Sequence, residues 1–232
     1  MATFYKGDCL QQMKQLPNES INFIYWNPPF GTTCQPWDEK LSWQEIFTEC
    51  FRILKNDGML AIHCSVPFNY TLIKAAPKPP LYSWYWDKLN QTTPLLAKTQ
   101  PLRQVEEILV WKNRKNTYYP QRVGDEERTF ISDGKTNYVN RETLTSQPMQ
   151  TVKGFYQRHL ITMKTTLDGY STRPKELIEL MIRSYSKEGD VILDPTCYRG
   201  ITGKISKEMN RRWIGIDKYF IADYILKEKN YY

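Results

Sequence analysis

The chain is poor in the side chains that build metal centres and covalent frameworks. Its five cysteines (Cys9, Cys34, Cys50, Cys64 and Cys197) are scattered and form no C-x-x-C pair. This argues against both a disulfide scaffold and a zinc site. Only two histidines, His63 and His159, are present. They cannot hold a metal without carboxylate help, and no suitable cluster is visible, so no metal is expected. No apolar run approaches bilayer-spanning length and no signal-peptide pattern opens the chain. A cytoplasmic protein without a membrane partner is expected.

What is present fits one α/β domain. A length of 232 residues allows a substantial core but not two ordinary domains with a linker. The net charge of +7 favours an anionic partner such as nucleic acid. Strands are expected at 3–6, 20–25, 59–63, 103–111, 190–194 and 213–217, because β-branched and aromatic residues concentrate there. Helical spacing marks Leu10, Met13 and Leu16; then Ile46, Phe47, Cys50, Phe51 and Leu54; then Leu177 to Tyr185; then Ile201, Ile205 and Met209. A last helix is expected from residue 218 to the end. Strand and helix alternating through short connections predict a mainly parallel sheet covered by helices. Residues 113–158 lack periodicity and are rich in basic and polar side chains. They read as an irregular surface insert that touches the partner.

The sharpest local feature is Asn27-Pro28-Pro29-Phe30, directly after a strand. Neither proline can donate to a ladder, so the strand must stop there. An open α/β sheet binds its ligands beyond such carboxyl ends. Two carbonyl acceptors, the Asn27 amide and the Pro28 backbone, suit the two hydrogens of an amino group. A planar ring at Phe30 suits stacking on a base turned out of a duplex. The plain alternative is a rigid turn with a capping Asn. Asp8, Asp194 and Asp217 each follow a strand. Singly each suits a helix N-cap, but three at successive strand ends favour a ligand site.

In sequence order, Gly7-Asp8-Cys9, Leu16-Pro17, Ser20 to Ile24 and the Pro-Pro motif resemble the opening of the DNA amino-methyltransferase family, the N6-adenine and N4-cytosine methylases. Residues 52–60 resemble its R-x-L-K-x-G-G segment, and Trp86-Asp87-Lys88, residues 98–103 and 107–110 continue the match. Ser171-Thr172-Arg173-Pro174 before Leu177 resembles H-P-T-x-K-P-x-x-L. Asp194-Pro195 to Gly203, then residues 212–217, resemble D-P-F-x-G-S-G-T-T-G followed by R-x-F-I-G-I-E. Tyr198 and Arg199 stand where that pattern has Gly and Ser. The catalytic tetrapeptide precedes the cofactor loop, the arrangement called the β class.

The resemblance implies a Rossmann-like, seven-stranded, mainly parallel sheet and S-adenosylmethionine as cofactor. It implies that Asn27, Pro28, Pro29 and Phe30 are catalytic. It places Asp8, Cys9, Thr172, Asp194, Thr196, Arg199, Gly200, Thr202 and Asp217 around the cofactor. Residues 113–158 become a target-recognition insert within a single domain, and double-stranded DNA the partner. Lys112, Arg114, Lys115, Tyr118, Tyr119, Arg122 and Arg128 are the expected DNA contacts, through phosphates and stacking. Pairing as a homodimer is also implied, although no residue pattern marks an interface. Adenine N6 is the expected target. Cytosine N4 and a non-catalytic DNA-binding homologue remain the alternatives.

Overall fold

Two strands that pair in parallel, far apart in sequence, organise the fold. They are β2 (Ile21–Trp26) and β9 (Val191–Asp194), matched at Phe23 with Ile192 and Ile24 with Leu193. Both are almost wholly buried, as expected of parallel strands covered on both faces. Side chains add a clip at either end. The Asn22 carbonyl Oδ1 accepts from the Val191 N–H at 3.0 Å, and the Trp26 indole donates to Thr196 Oγ1 at 2.8 Å. The computed structural model describes residues 2–31, 33–92, 94–130, 150–166 and 173–219. The expected helix beyond residue 219 lies outside these, as does Thr172.

The remaining elements in chain order are β1 (Ala2–Lys6), α1 (Cys9–Gln15), α2 (Trp43–Ile53), β3 (Leu54–Cys64), α3 (Phe68–Ala75), β4 (Tyr82–Thr92), β5 (Arg103–Lys112), β6 (Arg122–Phe130), β7 (Gln150–Tyr156), β8 (Leu160–Thr162), α4 (Lys175–Tyr185), α5 (Ile201–Glu208) and β10 (Arg212–Asp217). They fall into two compact units, Met1–Tyr119 with His159–Tyr232, and Pro120–Arg158. In the first, one sheet runs β1-β10-β9-β2-β3-β5-β4-β8. Five of its pairings are parallel, and β5 is antiparallel to both neighbours. The expected mainly parallel α/β sheet is therefore present, with eight strands where seven were expected. The three-residue β8 on the outer edge makes the difference.

Alternation along β2 divides the core. Ile24 and Trp26 pack with Met13, Phe47 and Leu72 of α1, α2 and α3, whereas Phe23 and Tyr25 pack with Ile178, Met181 and Ile205 of α4 and α5. Helices thus cover both faces. Arg52 fixes the end of α1 by donating to the carbonyls of Met13 at 2.8 Å and Leu16 at 2.9 Å.

The middle of the chain is more regular than its composition implied. The Pro-rich run before residue 81 concealed β4, whose Trp84 and Trp86 alternate into the core. Part of the supposedly irregular insert is an antiparallel pair, β6 with β7, which forms the second unit. Within it the Arg122 guanidinium lies 4.2 Å from the Tyr156 ring centre and donates to the Gly154 carbonyl at 3.2 Å.

Gly215 lies in β10 opposite Asp194. A Cβ there would meet a ring carbon of buried Trp213 at 2.0 Å and Cys197 Sγ at 2.9 Å. Gly215→Ala is expected to lower unfolding free energy by about 1–3 kcal/mol through overpacking, read from urea denaturation.

Candidate active site

Connections from β2 and β9 leave in opposite directions, β2 through α2 to β3 and β9 through α5 to β10. Their carboxyl ends therefore frame a switch-point crevice, the place where such sheets take ligands. A cavity of about 640 Å³ opens there. Of the residues singled out from sequence, Asp8, Cys9, Asn27, Pro28, Pro29, Asp194, Thr196, Thr202 and Asp217 line it. This volume is in the range of small-molecule and cofactor sites.

The three aspartates differ. Asp8 caps α1, its Oδ1 accepting from the Gln11 N–H at 3.0 Å, so the helix-cap reading and the cavity position both hold. Asp217 accepts from the N–H groups of Tyr198 at 2.7 Å and Tyr219 at 2.8 Å. Asp194 is buried, and its Oδ1 has no hydrogen-bond partner among the described residues. Burial and the nearby Asp217 push its pKa up to about 7, against hydrogen bonds from Thr202 and the Thr196 backbone. A buried, orphaned carboxylate oxygen on a cavity wall is suited to a cationic group.

The loop after β9 is held by its backbone. Tyr198 has φ 50°, in the left-handed region that glycine adopts freely and other residues at a cost of roughly 1–2 kcal/mol. Gly200, at φ 81°, caps α5. The loop therefore follows a glycine-type course although Tyr198 replaces glycine. Arg199 and Gly200 are not among the cavity-lining residues, and the Arg199 guanidinium lies 5.5 Å from the Tyr198 ring centre. Burial pushes the Cys9 thiol up to about 12, with Asp8 adding to the shift, so the thiol stays protonated. Thr196 Oγ1 donates to the Asn27 carbonyl at 3.2 Å while accepting from Trp26, so the cofactor-side loop positions the tetrapeptide. The Asn27 side-chain amide has no hydrogen bond among the described residues. Phe30 does not line the cavity. Its ring stacks on Phe68 with centres 4.8 Å apart.

The cavity also has walls that the sequence did not reveal. Trp37, Glu39, Lys218 and Tyr219 stand at its rim, where Lys218 Nζ meets Glu39 at 2.7 Å and the Tyr219 hydroxyl also bonds Glu39. Tyr25 and Arg173 line the interior. The strand pattern of Phe23 and Tyr25 was visible, but periodicity cannot say which strand end opens into a cavity.

The expected DNA contacts fall in separate places. Lys112 pairs with Met59, and the N–H groups of Arg114 and Lys115 both donate to the Asn56 carbonyl, near the start of β3. Asn27 follows Trp26, which pairs with Ile62 near the end of that strand. Met59 is opposite Phe23 and Leu54 opposite Ile21, so these levels lie three to five residues of β2 before Trp26, roughly 10–16 Å at about 3.3 Å per residue. Tyr118 packs near Tyr185, and the Tyr119 N–H donates to the Ser184 carbonyl, at the far end of α4. Arg114, Lys115, Tyr118 and Tyr119 thus lie towards the sheet end opposite the cavity, and Lys112 lies midway along β3. Arg122 and Arg128 belong to the second unit. Composition marked a basic, aromatic stretch but carried no information on strand direction. The antiparallel β4–β5 connection instead brings exposed Lys98 and Arg103 to the Asn27 end of the sheet.

A sequence profile of the DNA methylase family matches residues 21–225. The chain belongs to that family. Type II methyltransferase M.BamHI of Bacillus amyloliquefaciens is 24% identical over 94% of the chain and 54% of its own length. DNA adenine methyltransferase YhdJ of Escherichia coli is 27% identical over 93% of the chain and 78% of its own length. The chain thus spans about half the length of the first of these relatives and most of the second. The fold is shared with a crystal structure of M1.HpyAVI in complex with SAM, at TM-score 0.61 and 18% identity, covering 99% of this chain and all of that one. It is also shared with the cytosine-N4-specific PvuII DNA methyltransferase, at TM-score 0.62 and 18% identity, covering 94% and 82%.

The carboxylate form of Asp194 is the one that attracts a cation. Calorimetric titration with S-adenosylmethionine, whose ammonium serves as the probe, should therefore weaken as the pH falls through about 7. The loss should approach about tenfold per pH unit, the limit for one linked proton. Asp194→Asn should bind weakly at every pH and lose that dependence.

Proposed function

We propose that this chain is an S-adenosylmethionine-dependent DNA methyltransferase acting on an exocyclic amino group, with adenine N6 as the target. The observation that carries this reading is the cavity itself, which joins Asn27 and Pro28 to Asp194 and Asp217 at one switch point. Asp194 would hold the cofactor ammonium, Asp217 the ribose hydroxyls and Asp8 the adenine amino group. When bound, S-adenosylmethionine supplies an electrophilic methyl group. Asn27 Oδ1 and the Pro28 carbonyl accept the two amino hydrogens and orient the nitrogen lone pair. The Thr196 hydroxyl holds the Asn27 carbonyl in place from the cofactor side. The rim aromatics Trp37 and Tyr219 offer faces to a flat ligand.

Asparagine at position 27 favours adenine, the base named for the relative YhdJ, a DNA adenine methyltransferase. The cytosine-N4 reading has the support of the shared fold with PvuII methyltransferase. The glycine-type course of the Tyr198 loop weighs against a degenerate, cofactor-free homologue. Of the expected insert 113–158, residues 120–158 with the β6–β7 pair are proposed as the target-recognition element and double-stranded DNA as the partner. The chain would act in the cytoplasm, and pairing with a second copy is retained only from the family resemblance.

Methyl transfer to unmodified bacterial DNA, followed by nucleoside analysis, is expected to yield N6-methyladenine. N4-methylcytosine would reassign the target, and no methylated base would refute the reading. Asn27→Ala should slow transfer by about 10²–10³-fold, the scale for losing one oriented polar contact in a transition state, while S-adenosylmethionine affinity stays within about twofold. In filter-binding titrations, Arg103→Ala should weaken DNA binding and reduce the salt slope by about one. Lys115→Ala, at the opposite end of the sheet, should change neither.

A further inference from the structure

A chain of buried polar groups runs from the cavity into the sheet and is not accounted for by cofactor or base binding. The Tyr25 hydroxyl lies 2.7 Å from His63 Nε2, and His63 Nδ1 lies 2.6 Å from Glu106 Oε1. Arg173 Nη2 donates to the same Glu106 oxygen at 2.8 Å, and Lys88 Nζ is 4.0 Å from Glu106 Oε2. Tyr25 and Arg173 line the cavity with Asn27, whereas His63 is fully buried.

The proton positions follow from charge. Burial favours a neutral Glu106, but Arg173, His63 and Lys88 together outweigh it and hold its carboxyl near about 2. Glu106 is therefore an acceptor only, and His63 must donate to it through Nδ1–H. Burial lowers the His63 pKa despite Glu106, so the ring is neutral and Nε2 is bare. The Tyr25 hydroxyl must then donate to Nε2. The groups facing this imidazole are thus Tyr25 from β2, Glu106 from β5, Arg173 ahead of α4 and Lys88 from β4. Asp194 from β9 acts on Tyr25 at longer range.

Methylation of an amino group sheds a proton. As the nitrogen forms its bond to the methyl carbon, the carbon–sulfur bond breaks and its electron pair stays on sulfur. The nitrogen is left with one hydrogen too many. Asn27 can accept hydrogen bonds but, being an amide, is not a base at neutral pH. In the proposed function Asp194 is engaged by a cation.

We infer that Tyr25, His63 and Glu106 form a proton relay behind the Asn27 motif, Tyr25 taking the amino proton as it passes its own hydroxyl proton to His63 Nε2. The N–H bond breaks with its electrons retained by nitrogen. The imidazolium so formed is stabilised by the Glu106 carboxylate, which Arg173 orients. After product departs, the proton returns through Tyr25 to water in the cavity. Tyr25 is the group that meets the substrate, and His63, Glu106 and Arg173 act through it. This inference rests on the amino-methyltransferase reading.

Two measurements test it. The first needs no cofactor. With only two histidines in the sequence, imidazole ¹⁵N spectra of the 232-residue chain are readily assigned, using His159→Asn. A protonated Nδ1 and bare Nε2 at His63 is expected near neutral pH, and a protonated Nε2 would overturn the relay. The second is single-turnover methyl transfer to amplified, unmodified bacterial DNA across pH. With S-adenosylmethionine kept saturating at every pH, so that the Asp194-linked loss of affinity does not enter, the wild-type rate should fall only below the ordinary imidazole range. Tyr25→Phe should be slowed by about 10²-fold, the lower end for general acid–base catalysis, and should lose that acid limb while binding S-adenosylmethionine normally. His63→Gln should reproduce the effect. A Tyr25→Phe protein with wild-type rate and pH profile would overturn the relay and leave the methyltransferase reading intact. A wild-type protein that methylates no DNA would overturn the reading and the relay with it.

Discussion

The parallel pairing of β2 with β9 is the constraint on which the rest depends. Only two residue pairs match in register, yet those pairs bring residues 27 and 194 to one place from opposite ends of the sequence. Asn22 and Trp26 hold the register from either end through side-chain hydrogen bonds to residues 191 and 196. Because a one-residue slip would exchange the two faces of β2, the alternation of Ile24 and Trp26 against Phe23 and Tyr25 enforces the same register through the core. Packing and site assembly are therefore set by one interaction.

From that register follows a division of labour across the sheet. The face covered by α1, α2 and α3 holds an aromatic stack that runs from Trp26 through Trp43 to Phe68 and ends on Phe30, with Glu107, Asn69 and Ser83 forming a polar cluster beside α3. The face covered by α4 and α5 admits polar atoms, and the Tyr25–His63–Glu106–Arg173 chain lies on that side. Buried charge is tolerable there because each carboxylate oxygen or ring nitrogen of the chain has a partner. Asp194, which lines the cavity, differs in having one buried carboxylate oxygen without a hydrogen-bond partner among the described residues.

Much of this was legible in the sequence. Strands with β-branched and aromatic residues, helices with apolar residues at turns of 3.6, and Pro-Pro directly after a strand are local signals, and they located β2, α4, β9, β10 and the Asn27 motif. The cavity residues at strand ends followed from the same reasoning. What was not legible depended on direction and distance. Lys112, Arg114 and Lys115 read as a nucleic-acid surface because charge is visible in a sequence, whereas the antiparallel run of β5 that carries them away from Asn27 is not. His63 and Glu106 are 43 residues apart and meet only because β3 and β5 pair. The strand β4 was hidden by the prolines before it, although Trp84 and Trp86 already alternate.

Tyr198 has a wider consequence. Its backbone occupies the left-handed region, and its N–H is held by Asp217 at 2.7 Å. The course of the loop is thus specified by a hydrogen bond to the next strand's terminal carboxylate and does not require a residue without a side chain. A search that demands glycine at this point would pass over chains of this kind. A search for a left-handed residue whose amide meets the carboxylate ending the neighbouring strand would retain them.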